Sequence, residues 1–344
     1  MARIFNIMEE ATKRRFALVI NLFAEGNTNV TTDSGLTDGN KTYYSDHLID
    51  LAEPELIHDQ FADKYPIPKR GGKIIEFRKY NPLPKALTPL TEGVTPNGQK
   101  LEMSVQTATV AQYGGYVELS DILDLTHIDP IVVQATEQIA SQAGRTLDTV
   151  TREVMAGGTN VMYAPNGETA VTSRSAITNA CKVTPQVIRK AVMILKRQNA
   201  PKIDGSYVAI IHPDVAYDLM SDPEWIDIHK YEASVNIFNG EIGKLAGVRF
   251  IENTEAKIFS EAGNSGANVY ATMVLGAHAY ATTDISGGGL RHIVKQLGSA
   301  GTADPLDQRS TVGWKAIKTA EILIQQYMVR IESGASEGAT AIAN

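Results

Sequence analysis

The sequence predicts an α+β chain assembled from one extended loop, one long helix and one segment in which helices alternate with buried strands. The first observation is the stretch 73–121. It opens with the alternating run Lys73-Ile74-Ile75-Glu76-Phe77-Arg78-Lys79-Tyr80 and resumes with the β-branched run 102–110, both strand-like. Between them lie Pro82, Pro84, Pro89, Pro96, Gly93 and Gly98, which exclude a regular ladder. A loop this long inside a compact domain is unusual, and Leu83, Leu87, Leu90, Val94 and Leu101 recur through it. The expectation is an arm whose apolar residues meet partners on another molecule.

The second observation is the pattern from Asp129-Pro130 to Ala156, ended by Gly157-Gly158. Asp at N-cap and Pro at N1 start a helix, and glycine stops one. Val132, Thr136, Ile139, Ala143, Leu147, Val150 and Val154 recur three or four apart and form one face. Such a helix is ~40 Å long and needs a neighbour along its whole side. The third observation is the succession beyond it. Thr184-Pro185 starts a helix with Val187, Ile188, Ala191, Val192 and Leu195 inward, ending before Pro201. Tyr207-Val208-Ala209-Ile210-Ile211 reads as a strand covered on both faces, and Pro213 and Pro223 start two more helices.

The remaining elements follow in order. Lys13-Arg14-Arg15 ahead of the apolar run 16–24 imitates a secretory leader. Asn21 interrupts that run, Glu9 and Glu10 precede it and no small-x-small site follows, which favours an amphipathic N-terminal helix over the leader. Residues 26–39 form a polar joint, and Tyr43, Tyr44, His47, Leu48 and Leu51 lie at helical spacing as far as Pro54. Residues 113–119 read as a strand broken by a bulge or bend at Gly114-Gly115. Ser120 or Asp121 caps a short turn through Leu125. Pro165-Asn166-Gly167 marks a tight turn, and 247–251 and 269–275 read as strands. Residues 312–331 favour one long strand and leave a helix open; the tail from Ser333 is expected to fray.

The chemistry is sparse. Hydrophobic content of 43% and charged content of 21% are ordinary for a soluble globular protein. A net charge of −7 argues against a protein that grips nucleic acid through a basic surface, though not against local basic patches. The single cysteine, Cys181, reads as a small buried hydrophobe. No apolar run approaches the ~20 residues of a membrane span. The seven histidines form no metal spacing, and there is no phosphate loop, convincing dinucleotide fingerprint or nucleophile elbow. Catalytic, cofactor-binding and metal residues are therefore expected to be none. The best enzymatic candidate is His212-Pro213-Asp214 after the buried strand, where α/β enzymes place catalytic groups. The weightier reading is that His212 ends the strand or caps the helix and Asp214 complements its dipole. Asp121, Asp124 and Asp129 resemble a carboxylate cluster, but two of them are better explained as helix starts, which favours a solvated acidic edge. Arg70, Lys73, Arg78, Lys79 and Lys85 read either as partners for a neighbour's acids or as a solvated strand face.

Several segments resemble the major capsid (coat) protein of a tailed bacteriophage, in particular the podovirus-like coat family with the Hong Kong-type phage capsid fold. They are Leu51-Ala52-Glu53-Pro54, 72–79, 82–93, 116–121, Gly144-Arg145-Thr146-Leu147-Asp148, His212-Pro213-Asp214, Gly240-Glu241-Ile242-Gly243 and Val312-Gly313-Trp314-Lys315. The resemblance covers about 36–332. It implies an N-terminal helix and arm (1–62), an extended β-hairpin loop with flanking strands (63–121) and a spine helix of a peripheral domain (122–160). An axial α/β-like domain (161–296) follows, then a return strand and tail (297–344).

The resemblance also implies self-assembly through hexamers and pentamers into an icosahedral shell enclosing DNA without sequence-specific binding, with the loop over a neighbouring subunit. Arg78, Lys79, Lys85, Leu87, Leu90 and Glu92 are then the candidate intersubunit contacts. Scaffolding, portal and decoration proteins are the implied partners, the virion and, during assembly, the host cytoplasm the implied locations, and no membrane is involved. In one branch of the fold a loop lysine is linked to a neighbour's asparagine; Lys85 and Lys100 lie in that region, with no motif that establishes the link. The alternatives are an encapsulin-like nanocompartment shell and, less favoured, a soluble α/β enzyme using His212 and Asp214.

Overall fold

The computed structural model describes residues 56–81, 83–95, 97–126, 131–229, 241–284, 288–299 and 304–338. The expected N-terminal helix, the joint at 26–39, the helical pattern at 43–51 and the Asp129-Pro130 start lie outside them. The described chain runs β1 (Asp63–Lys64), β2 (Ile74–Tyr80), β3 (Met103–Thr109), β4 (Ala111–Ser120), α1 (Asp121–Thr126), α2 (Ile131–Ala156) and β5 (Val161–Tyr163). It continues with α3 (Pro185–Arg197), β6 (Tyr207–Ile211), α4 (Pro213–Met220), α5 (Pro223–His229), β7 (Glu241–Leu245), β8 (Val248–Glu252) and β9 (Ile258–Phe259). Last come β10 (Val269–Leu275), β11 (Tyr280–Asp284), β12 (Arg291–Lys295), β13 (Arg309–Ile322) and β14 (Met328–Ser333).

The long helix α2 is the common neighbour of two sheets. Its first half buries Ile139, Ala140, Ala143 and Leu147 against Leu119 of β4 and Val312, Trp314 and Ala316 of β13. Its second half departs from the expected stripe. Val150 and Val154 are only half-buried, and the buried positions after Leu147 are Asp148, Thr151, Arg152, Met155 and Ala156. Here the helix leaves the first sheet and meets polar partners, so polar residues take the inward positions. Its C-terminal carbonyls are closed by Arg330 of β14, which donates through Nη1 to Ala156 O and, at 2.9 Å, to Gly158 O. A cation there also complements the helix dipole.

The five-stranded sheet is organised on β13. One edge of β13 pairs with β4 over ten residues, and the other pairs antiparallel with β12 and β11; β1 joins β11 in parallel. The expected bulge at Gly114-Gly115 is absent: both glycines pair in unbroken register with Lys315 and Trp314. They serve close approach instead. A Cβ at Gly114 would sit 2.7 Å from Trp314 O, and one at Gly115 would sit 2.6 Å from Gln142 Oε1.

The seven-stranded sheet has the order β5-β14-β10-β6-β8-β7, with β9 on β10. Its central strand β6 is apolar throughout and β10 is apolar but for Thr272, because each face meets a different core, and side chains alternate between them. Tyr207, Ala209, Ile211, Tyr270, Val274, Val329 and Ile331 pack with α3, α4 and Trp225. Ile210, Ala271, Met273, Leu275 and Met328 pack on the other side with Met155 of α2 and Tyr280. The five inward residues expected on α3 are all buried.

Sheet membership does not follow the expected segment boundaries. β11 and β12, placed with the axial segment 161–296, belong to the five-stranded sheet, and β14, placed with the return strand, is interior to the seven-stranded one. The expected single strand 312–331 is accordingly two. The chain leaves one sheet after Ile322, turns through a 3-10 segment at Gln325–Tyr327 and enters the other. Leu323 and Ile324 N–H both donate to Ala279 O, which fixes that crossing. The tail does not fray through Gly338. Ala335 is fully buried, Gly334 N–H donates to Cys181 O, and Ser336 N–H donates to Asp218 Oδ2 at 2.8 Å. No helix among the described residues is long and apolar enough to cross a membrane.

Candidate subunit interface

The hairpin β2–β3 follows from its sequence alternation. Seven consecutive antiparallel pairs run from Ile74↔Thr109 to Tyr80↔Met103, and opposed residues in such a ladder share a face. Ile75, Phe77 and Lys79 are half-buried, whereas Ile74, Glu76, Arg78 and Tyr80 are exposed. The exposed face therefore carries Tyr80 opposite Met103 and Arg78 opposite Val105. Sequence reasoning passed over the apolar residues of this mixed face, although the alternation of β2 contained it. The hairpin root is held by Val110 N–H to Lys73 O and by an edge-on contact of Phe77 with Tyr65, ring centroids 5.5 Å apart. Beside it lies a cavity of about 430 Å³ lined in part by Asp63, Tyr65, Phe77, Lys79, His278 and Ile324.

Beyond the hairpin the chain is irregular. Val94 N–H donates to Thr91 O across a turn that places Gly93 at φ +77°, a conformation glycine adopts without steric cost. Leu87 and Leu90 are 81% and 78% exposed, and Leu83, Val94 and Leu101 are exposed as well. Lys85 and Glu92 are exposed beside them. The six candidate contact residues do not form one patch. Arg78 and Lys79 alternate between the two faces of β2, Arg78 exposed and reaching Glu76 at 3.4 Å and Lys79 half-buried, although both border the cavity, while the other four lie in the irregular tip.

The hairpin root is fastened to the body by polar contacts of segment 56–65, which sequence reasoning missed. His58 is 1% exposed and donates its backbone N–H and its ring Nδ1–H to the two carboxylate oxygens of Asp148 on α2, at 2.7 and 2.6 Å. Asn253 Nδ2 reaches Asp148 Oδ2 at 3.4 Å, and Tyr280 donates its hydroxyl to His58 O. Burial, with Asp59, Asp148 and Asp63 nearby, pushes the Tyr280 phenol well above its usual range. Asp59 meets Lys318 at 2.9 Å, and Asp63 meets His278 at 2.8 Å. The sequence signal for this network was a lone aspartate on the apolar face of α2.

His212 and Asp214 have structural engagements. His212 caps α4, its Nδ1 accepting from Asp214 N–H at 3.2 Å, and Tyr270 donates its hydroxyl to Asp214 Oδ2 at 2.6 Å. Burial lowers the His212 pKa, with Asp214 opposing the shift. Among the described residues no group of three or more His, Cys, Asp or Glu is placed to hold a metal ion.

A long helix against a five-stranded sheet, a second sheet and a projecting hairpin define the Hong Kong-type phage capsid fold, and solved structures share it. The chain is similar to the capsid of Ralstonia phage GP4, with a TM-score of 0.62 at 14% identity over 80% of this chain and 87% of that one. The capsid of cyanophage P-SCSP1u matches with a TM-score of 0.61, also at 14% identity over 80% and 87%. The holo-SrpI encapsulin complex from Synechococcus elongatus PCC 7942 matches less well, with a TM-score of 0.53 and 9% identity over 81% and 87%. No curated protein matches the chain. The family model described as phage capsid protein matches residues 106–296, more than half of the chain. The chain belongs to the phage capsid protein family. Its role is that of a structural major capsid protein, self-associating in the virion shell, and the encapsulin-like alternative has the lesser support.

Proposed function

We propose that the subunit assembles through hexamers and pentamers into an icosahedral shell enclosing DNA, with the hairpin arm laid over a neighbouring subunit. The observation that carries this reading is the exposure of Leu87 and Leu90 on an arm whose leucines and Val94 join no buried core among the described residues. Leucines so displayed gain roughly 1.5–3 kcal/mol each on full burial, a gain that a neighbouring subunit would supply. In this reading Arg78, Lys79, Lys85 and Glu92 set the register of the contact, and Leu87 and Leu90 supply its apolar anchors. The peripheral part comprises α2 with the five-stranded sheet, and the axial part comprises the seven-stranded sheet at the capsomer centre. Assembly takes place in the host cytoplasm with scaffolding, portal and decoration proteins, and no catalytic step belongs to the chain.

The test is deletion of residues 83–99, together with the double substitution Leu87→Asp/Leu90→Asp. The expected product is a folded subunit by circular dichroism that builds no stable shell by size-exclusion chromatography and electron microscopy. A deletion that unfolds the subunit would place the loop in its own core and refute the reading. Wild-type particles that hold enzyme cargo and no DNA would favour the nanocompartment instead.

A further inference from the structure

The outer face of α3 carries a basic stripe that the shell reading leaves unused. The thirteen residues of this helix include Arg189, Lys190, Lys196 and Arg197 and no acidic residue. All four are exposed, and their spacing of one, seven and eight residues keeps them on one side of the helix. Lys190 and Arg197 are therefore about 10 Å apart along the axis. Arg189 is paired with Glu224 of α5, whereas Lys190, Lys196 and Arg197 form no ion pair among the described residues. A shallow groove of about 650 Å³ runs beside the stripe, lined by Arg189, Val192, Met193, Lys196, Arg197 and Ala246 of the β7–β8 turn. This concentration stands out on a chain of net charge −7. The chain's other charges are screened beyond ~10 Å at 0.1 M salt, so a ligand at the groove responds to the local cations.

We infer that this stripe contacts the phosphate backbone of double-stranded DNA, weakly and without sequence preference. The inference rests on the proposal that the shell encloses DNA and identifies the surface that touches it. Two features favour a nucleic-acid backbone over an acidic protein. The patch has no aromatic residue, and its exposed apolar side chains are Met193 and the small Ala246, so it lacks the desolvated anchors that give protein interfaces their affinity. Long, unpaired cations, Lys190 about two turns from the adjacent pair Lys196 and Arg197, suit phosphates, which need charge and no shape. The absence of aromatics on the stripe also removes the stacking platform that single strands use. Three unpaired cations hold the duplex loosely, as a container that must release its DNA requires.

The experiment is fluorescence anisotropy of a random-sequence 30-base-pair duplex with full-length unassembled subunit, titrated with salt. Three phosphate contacts at ~0.9 each predict a slope of log affinity against log salt near −3, and about a 40-fold loss between 50 and 200 mM. The triple variant K190Q/K196Q/R197Q is expected to lose binding at 50 mM while its circular dichroism is unchanged. The single variants K190Q, K196Q and R197Q, each expected to lower the slope by about one, decide the matter if the triple variant fails to fold. Wild-type protein that does not bind at 50 mM salt, or variants with the wild-type slope, would overturn the inference. So would a polyglutamate that binds more tightly than the duplex, which would give the stripe to an acidic protein partner. Electron microscopy of the same preparations reads shell formation separately. Wild-type shells without DNA binding defeat this inference alone, and wild-type protein that never forms shells defeats the reading on which it rests.

Discussion

Replacing Asp148 by alanine removes the acceptor at the centre of the polar network under the hairpin root. Asp148 is fully buried on α2 and accepts from His58 N–H, His58 Nδ1–H and Asn253 Nδ2. The substitution leaves three donors without a partner in a site closed to water. An orphaned buried donor costs about 1–3 kcal/mol, and the three lie together around one vacated site. These penalties overlap, so the expected loss is roughly 3–5 kcal/mol, equivalent to ~6–20 °C in Tm for a domain of this size class. Asp148→Asn retains one acceptor oxygen for His58 N–H and is expected to lose less than half as much. The assay is thermal unfolding of unassembled subunits at low concentration, with amide hydrogen exchange localised to 56–67. Faster exchange there is expected to accompany the lower Tm. A loss below ~1 kcal/mol in Asp148→Ala, the range of an exposed acid, would refute the reasoning.

Three further outcomes follow from the geometry. Burial lowers the pKa of His212 in the folded state below its ordinary 6.5, so the unfolded chain takes up the proton first. Stability from this residue is therefore present above ~6.5 and declines as pH falls below it; His212→Asn, which keeps a capping acceptor, should flatten that decline in urea titrations from pH 8 to 5. Gly114→Ala places its methyl group against the backbone oxygen of Trp314, and Gly115→Ala places it against the movable end of Gln142. The first should cost ~2–3 kcal/mol and the second nearer 1, in the range of overpacked sites, as read from denaturation midpoints. Truncation after Ser333 removes the donors from Ser336 to Asp218 and from Gly334 to Cys181 O. It should lower stability by about 2 kcal/mol or more, measured by thermal unfolding.

Elements whose sequence pattern reports one environment were legible. The helix α3 and the strand β6 each face settled neighbours, and their periodicity, capping prolines and apolar runs state them outright. Elements that change neighbours were not. The second half of α2 turns from an apolar sheet to a polar junction, so Asp148 and Arg152 occupy inward positions that a hydrophobic stripe cannot reveal. The run 312–331 looked like one strand because both halves are β-branched, yet it serves two sheets. Gly114-Gly115 looked like a bulge because sequence cannot tell a glycine needed for its backbone freedom from one needed for the absence of a Cβ. Of the interface candidates, the leucines were legible because five apolar residues recur in a proline-rich loop, whereas the partners of His58 are about 90 to 220 residues away in sequence.

The apolar arm and the polar root divide the consequences of mutation between them. Among the described residues Leu87 and Leu90 join none of the buried cores, so altering them is expected to change what the subunit meets and to leave its own stability within ~0.5 kcal/mol. His58, Asp59 and Asp63 bind the segment that leads into the hairpin to α2, β13 and the β10–β11 connection. Loosening them lets the root move before the arm has met any partner. An arm that docks from a loosened root must be ordered on binding, and that ordering is subtracted from the gain of burying its leucines. Root variants should therefore lower Tm and also raise the subunit concentration needed for assembly, whereas tip variants should raise that concentration with Tm unchanged. A tip variant that lowers Tm as far as Asp148→Ala would mean that the arm packs on its own subunit, and the division argued here would fail.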